Sequence, residues 1–405
     1  MDRIAILKNP VQEYAWGSRT YIQNLIGKPE GRPMAELWMG AHPRAPSSVR
    51  TDGKWQSLDR VISQDPEAVL GKHVAERFGG ELPFLFKILA AEKPLSIQVH
   101  PDLAQAKLGF EKENRRNVPL DAPERNYRDA NHKPEILCAL TPFEGLKGFR
   151  DTEEILRLID RLCLKGLRDE CTLLRKHPDS HGLKSFFSAI MHMDNARREK
   201  ITAEAAENAE KLAGEDPAFH WIAMLYTEYP GDIGILSPAL LNLVMLQPEE
   251  AIYLPAGELH AYLRGLGIEL MANSDNVLRG GLTPKHIDVS ELLSIVVFRT
   301  GGVRKVPKIT DDAGQTIYET PAEEFLLSSF SVRENSAFTS ASDRNVEIMI
   351  CLDGKAEIED LGKDDVLCIT RGQSVIIPAR VSRYRIRGNA TFYRASVPPD
   401  TRRRP

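Results

Sequence analysis

The 405-residue chain contains no apolar run near the ~20 residues that a bilayer-spanning helix requires, which excludes a helical membrane protein. Charge of one sign is missing too. Its 53 Lys and Arg stand against 57 Asp and Glu, a net of −4, too little to suggest a surface for a nucleic-acid backbone. Basic residues cluster only in the terminal "TRRRP", which reads as a solvated end. Cysteine is scarce. The five present (Cys138, Cys163, Cys171, Cys351, Cys368) are odd in number and include no C-x-x-C pair, so they read as free thiols in a reducing compartment. The opening stretch "MDRIAILKNPVQEYAWG" has no apolar segment before Pro10 and does not read as a secretory signal. Histidine is absent after His286, which removes any imidazole metal site from the C-terminal part of the chain. These absences point to a cytoplasmic protein with neither a membrane nor a nucleic-acid partner, and a monomer is expected.

What is present is the composition of a folded globular protein, 42% hydrophobic and 27% charged, in a chain too long for one ordinary core. Residues 1–149 read as strand-and-turn material: "ELPFLFKILAAEKPLSIQVHP" is rich in Leu, Phe and Ile and punctuated by proline. The texture then changes. In "DTEEILRLIDRL", Asp151 is a candidate N-cap with Glu154 three residues on, and Ile155, Leu158, Ile159 and Leu162 share a helical face. "GLKSFFSAIM" repeats that spacing, and "ITAEAAENAEKLAGED" is a strong helix former ending near Gly214, a C′ glycine. A helical insertion is therefore expected over 150–232. Strand texture resumes at 233–300, a loose connector follows over 301–322, and a second β-domain over 323–405 carries an Asp353-Gly354 hairpin signal. The fold class expected is mainly β with a helical insertion. "IYLPAGELHAY" (252–262) aligns with "IIPARVSRYR" (376–385) through Leu254-Pro255-Ala256 and Ile377-Pro378-Ala379, which suggests that one β-domain duplicated into two.

Within "KPLSIQVHP", a strand would turn Val99 to one face and both Gln98 and His100 to the other. Such a pair is either the start of a metal site or an ordinary polar face. "PAGELH" has the spacing P-x-G-x-x-H, a tight turn that delivers His260 onto the next strand, as in the second motif of cupin jelly rolls. "NHKPEILCAL" offers Glu135 at the start of an apolar run, where a carboxylate usually needs a cation. One amide, one carboxylate and two imidazoles without a thiolate suit Zn²⁺, Mn²⁺ or Fe²⁺.

Six blocks, "NPVQEYAWGS", "AELWMGAHP", "KPLSIQVHPD", "NHKPE", "LPAGELHAYL" and "SDNVLRGGLTPKH", occur in the order and approximate spacing of the type I mannose-6-phosphate isomerases (phosphomannose isomerases). The chain resembles that family along nearly its whole length. The resemblance implies two cupin-like jelly-roll β-domains plus an α-helical domain, and one zinc ion per chain held by Gln98, His100, Glu135 and His260. It places a basic residue, Arg279, in the active site, and gives an active-site role to the region of His132, Lys133 and Asp275. It makes Lys87, Ser96 and Lys285 candidates for holding a substrate phosphate. The implied reaction interconverts mannose 6-phosphate and fructose 6-phosphate through a cis-enediol. Two other readings stand beside it. A metal-dependent cupin oxygenase would favour a histidine-rich set with open positions. A non-catalytic sugar-binding or regulatory double cupin would not need the full ligand set.

Overall fold

The structure, a computed structural model, describes residues 1–399 apart from Glu30, Asp52 and Asp364, so the basic tail lies outside the described residues. Strand Phe84–Ala91 is buried at every position, as a strand covered on both faces must be. It runs antiparallel between Glu36–Gly40 and His260–Ala272. The 13-residue strand His260–Ala272 belongs to two layers of the first β-domain. Its first residues pair with Phe143–Phe149 and Ile97–Val99, and its last eight pair with Phe84–Ala91 and Glu135–Ala139. The corner is Gly265. Its φ is +135°, and a Cβ there would lie 2.6 Å from the Phe143 ring, so only glycine fits. This corner brings the starts of three strands, carrying Gln98, Glu135 and His260, to one barrel mouth.

The insertion begins as expected with helix Thr152–Arg161, which buries Ile155, Leu158 and Ile159. Three of its later helices are capped by aspartates, Asp179, Asp194 and Asp216, each accepting a backbone N–H of the first turn. The long helix Asn195–Leu212 ends on Ala213 in right-handed geometry, and Gly214 does not adopt the left-handed conformation expected of it. Helical structure continues past 232 as Ile233–Leu236 and Ser237–Leu240, started by Asp232 accepting from Gly234 N. Ile97, Val99, Leu146 and Leu259 of the β-domain share one core with these helices.

Other expectations need correction. Residues 1–149 are not all strand and turn: Leu103–Arg115 is a helix with a reciprocal capping box between Asp102 and Gln105, a signal present in the sequence. "SELLSIVVF" holds helix Val289–Ile295, capped by Asp288. The segment 301–322 carries strands Lys308–Thr310 and Thr316–Tyr318, which extend the C-terminal sheet through Leu326–Val332. Asp353-Gly354 makes no hairpin. Glu347–Asp360 is one continuous strand that bulges between Cys351 and Asp353 and stays paired with Tyr384–Ser396 on both sides of the bulge. The C-terminal sheet also takes strands from the start of the chain: Ala5–Lys8 pairs with Ser374–Ile377, and Ser48–Thr51 and Lys54–Ser57 follow.

The short sequence repeat has a structural counterpart. Ala251–Leu254 and His260–Ala272 flank Glu135–Ala139, while Ser374–Ile377 and Tyr384–Ser396 flank Glu347–Asp360. Leu254 stands opposite Glu135, and Ile377 opposite Glu347. The alignment of Leu254 with Ile377 therefore extends, in register, to two buried glutamates.

Candidate metal centre and active site

His100, Glu135 and His260 meet at the mouth of the first jelly roll, all buried, with one potential ligand atom from each within 4.8 Å of the others. His100 Nε2 lies 3.3 Å from Glu135 Oε1 and His260 Nε2 lies 3.6 Å from Glu135 Oε2. Each imidazole is oriented through its other nitrogen: His100 Nδ1–H donates to Asn276 O at 2.7 Å, and His260 Nδ1–H to Glu258 O at 3.0 Å. Both Nε2 atoms are left buried without a hydrogen-bond partner. Two orphaned nitrogens aimed at one buried carboxylate are what a divalent cation would satisfy. Burial, then the charge of Lys133, pulls His100 down to about 4, so its ring is neutral and its lone pair available. Burial alone would raise Glu135, but Lys133 and His100 outweigh it and hold the carboxylate well below its ordinary range. Gln98 stands directly across the strand pair from His260 and lines the same cavity as Glu135. The turn before His260 is fixed by Gly257, whose N–H donates to His100 O at 2.8 Å. Its φ is +78°, and a Cβ there would meet Val297 at 2.5 Å.

Above this centre opens a cavity of about 700 Å³. Arg279, Lys133, Asp275, Ser96 and Lys285 line it. Lys133 Nζ is 3.0 Å from Glu135 Oε1. Asp275 is 3.1 Å from Arg44 and 3.7 Å from His42. Arg279 is the cross-strand neighbour of Gln98, one strand over from His260.

Two candidates are placed otherwise. His132 does not line the cavity; its Nε2 pairs with Glu324 Oε1 at 2.7 Å, bridging to the segment that leads into the C-terminal domain. Lys87 lines the cavity but already has carboxylate partners, Glu269 at 2.6 Å and Glu36 at 3.7 Å. Burial alone would neutralise it, yet those two carboxylates hold its ammonium protonated, above the usual lysine range. Its ammonium therefore enters the cavity wall already paired.

The sequence reading missed Glu269, Glu36, His42, Arg44 and Arg128, all in the cavity wall. A signal existed for Glu269. Lys87 is the charged exception in "FLFKILAA" and Glu269 the exception in "GIELMA", and the two strands pair these residues directly. His42 and Trp38 lie in the block "AELWMGAHP", where no local pattern marks either as functional.

A jelly roll with a buried His, Glu and His set at its mouth that could hold a metal ion, a helical domain against one layer and a second jelly roll beside it defines the class of metal-dependent double cupins. The family model "Phosphomannose isomerase type I, catalytic domain" matches residues 4–152. The chain is 39% identical to mannose-6-phosphate isomerase of Escherichia coli (strain K12) over 392 residues, 96% of this chain and 98% of that protein. It is 37% identical to the Homo sapiens protein of the same name over 361 residues, 80% and 81% of the two. A zinc-bound crystal structure of mannose 6-phosphate isomerase superposes with a TM-score of 0.90 at 37% identity, covering 98% of this chain and all of that one. The Salmonella typhimurium enzyme bound to fructose 6-phosphate and zinc gives the same TM-score, identity and coverage. The chain belongs to the type I phosphomannose isomerase family.

Proposed function

We infer that this chain is a zinc-dependent aldose–ketose isomerase that interconverts mannose 6-phosphate and fructose 6-phosphate through a cis-enediol. The observation that carries the reading is the pair of unpartnered imidazole nitrogens beside Glu135, at a cavity whose lining includes the cations Arg279 and Lys285, unpaired among the described residues. Zinc held by Gln98, His100, Glu135 and His260 supplies a redox-inert Lewis acid for the oxygens at C1 and C2. Arg279, beside Gln98, stabilises negative charge on the enediolate. Proton transfer and ring opening fall to Lys133 and Asp275, the two titratable candidates that line the cavity. Ser96 and Lys285 hold the phosphate, which anchors the far end of the sugar and orients C1 and C2. All five cysteines are free thiols, which supports a reducing cytoplasm. Among the described residues no helix is long and apolar enough to cross a membrane.

The test is conversion of mannose 6-phosphate by zinc-loaded protein, with loss on chelation and recovery on adding zinc. Run in D₂O, the reaction should place deuterium in product or recovered substrate. Turnover with no deuterium in either would leave a hydride shift open. Oxygen consumption with bound iron would revive the oxygenase reading.

A further inference from the structure

The cationic side chains of the cavity divide into two groups by what already faces them. Lys87, Lys133 and Arg44 each have a carboxylate of the same wall within ion-pair distance. Arg125 is a structural residue, donating to Tyr127 O and Asn114 Oδ1 at 2.6 Å and lying 3.6 Å from Glu113. Arg279, Lys285 and Arg128 also line the cavity, and among the described residues none of these three side chains makes a hydrogen bond or ion pair. Three cations without a counter-anion on one wall repel one another. Burial and then the charge of Arg128 hold the Arg279 guanidinium below its ordinary value, and Lys285 is lowered by burial, Arg279 and Arg128. Such a wall is relieved by an anion from outside.

We propose that Arg128 is a phosphate-binding residue of this site, acting with Lys285, and that Asn276 is the positioning residue that fixes it relative to the metal centre. The proposal rests on the isomerase reading for the identity of the anion's carrier, a sugar phosphate. Asn276 is fully buried. Its Oδ1 accepts from Arg128 N at 2.7 Å and from Asp129 N at 3.2 Å. Its Nδ2 donates to Asp129 O at 2.9 Å and Asn131 O at 2.8 Å. One side chain thereby sets the backbone of 128–131. The carbonyl of the same residue accepts from His100 Nδ1–H and so orients a proposed metal ligand. The two ends of a bound sugar phosphate, the anion and the reacting carbons, are thus referred to one residue. An amide is required because both its ends are used. A carboxylate would accept from Arg128 N but could not donate to Asp129 O, and would face the Asp129 carboxylate, which lies 3.2 Å from Nδ2.

The test uses the full-length zinc-loaded protein, with Arg128→Gln and Arg128→Lys, and inorganic phosphate as a probe by calorimetry alongside steady-state kinetics. Arg128→Gln is expected to raise KM for mannose 6-phosphate and the phosphate dissociation constant by about tenfold each, with kcat changed by less than about twofold and zinc content unchanged. Arg128→Lys should recover most of the loss, because charge without the planar fork still attracts phosphate. Asn276→Asp should weaken phosphate binding and also lower zinc affinity, although its side chain touches neither ligand. An unchanged phosphate dissociation constant in Arg128→Gln, while wild type turns over normally, overturns the assignment of Arg128. A dissociation constant that rises in a protein whose wild type isomerises nothing keeps the anion site and removes the isomerase reading instead. Full zinc affinity and phosphate binding in folded Asn276→Asp overturn the positioning role.

Discussion

The two jelly rolls bury a glutamate in the same register and differ in what neutralises it. Glu135 has Lys133 at 3.0 Å and also faces two imidazoles whose Nε2 atoms have no partner, so the first barrel keeps a place for a cation from outside. Glu347 accepts from Tyr384 Oη at 2.7 Å and lies 3.2 Å from Arg394 and 3.5 Å from Arg344. Arg394 is itself fully engaged, donating to Ser328, Tyr384 and Gln315 as well. The second barrel therefore carries its cation covalently. A guanidinium has no vacant position for a substrate oxygen and cannot exchange, so the same carboxylate that serves a reactive centre in one domain serves stability in the other. Aligning the repeats puts Arg383 in the place of His260, but Arg383 is exposed. The residue that meets the carboxylate is Arg394, eleven positions on along the neighbouring strand.

Substitutions can break this contrast. The largest effect is expected at His100→Ala or His260→Ala, which should cost more than the roughly 10–100-fold in zinc affinity typical of losing an outer-shell partner, and abolish turnover, while circular dichroism stays native. Full metal occupancy in both would refute the centre. Next, Glu347→Ala leaves the Arg394 guanidinium buried without its counter-charge and should destabilise the fold by about 3–5 kcal/mol in urea titrations. Zinc stoichiometry should stay at one, and a drop would show that the second barrel is not inert. Arg279→Ala should lower kcat more than it raises KM, whereas Ser96→Ala and Lys285→Ala should chiefly raise KM; an effect of Arg279→Ala on KM alone would move it to the phosphate group. The smallest change should come from His132→Ala, at most about 1 kcal/mol because the pair is only part-buried. Burial alone would raise Glu324, but its hydrogen bond to His132 holds it below its ordinary 4.5. A depressed carboxylate contributes stability above pH 4.5 and loses it as pH falls through the folded value. The mutant and wild type should thus differ at pH 7 and converge at low pH, with kcat alike at pH 7.

Much of this was readable in the residues. The helical insertion announced itself by its apolar spacing, and the candidate metal centre by an apolar run starting on Glu135 and a P-x-G-x-x-H turn. Contacts between distant segments were not readable. Lys87 and Glu269 are 182 positions apart and His132 and Glu324 are 192 apart, so neither pairing is visible along the chain. Nothing local in "NYRDANHKPE" distinguishes Arg128 from a surface arginine; it acquires meaning only when its neighbours in the cavity prove to be paired already. The Asp-Gly signal misled for a similar reason, since the partner strand continues past it and turns a would-be hairpin into a bulge.

The strand Ala5–Lys8 closes a sheet with Ser374–Ile377, and Asn9 Nδ2 donates to Ser374 Oγ across 365 positions of chain. On the ribosome, at about 5–20 residues per second, that leaves the strand roughly 20 to 70 s without its partner. During that interval an open edge with Ile6 and Leu7 is available to other chains, and the long sequence separation slows closure once the partner appears. Nascent chains, more than mature ones, are therefore where this fold is vulnerable: crowded synthesis or a truncation before residue 374 would present an unclosed sheet to the cell's chaperones.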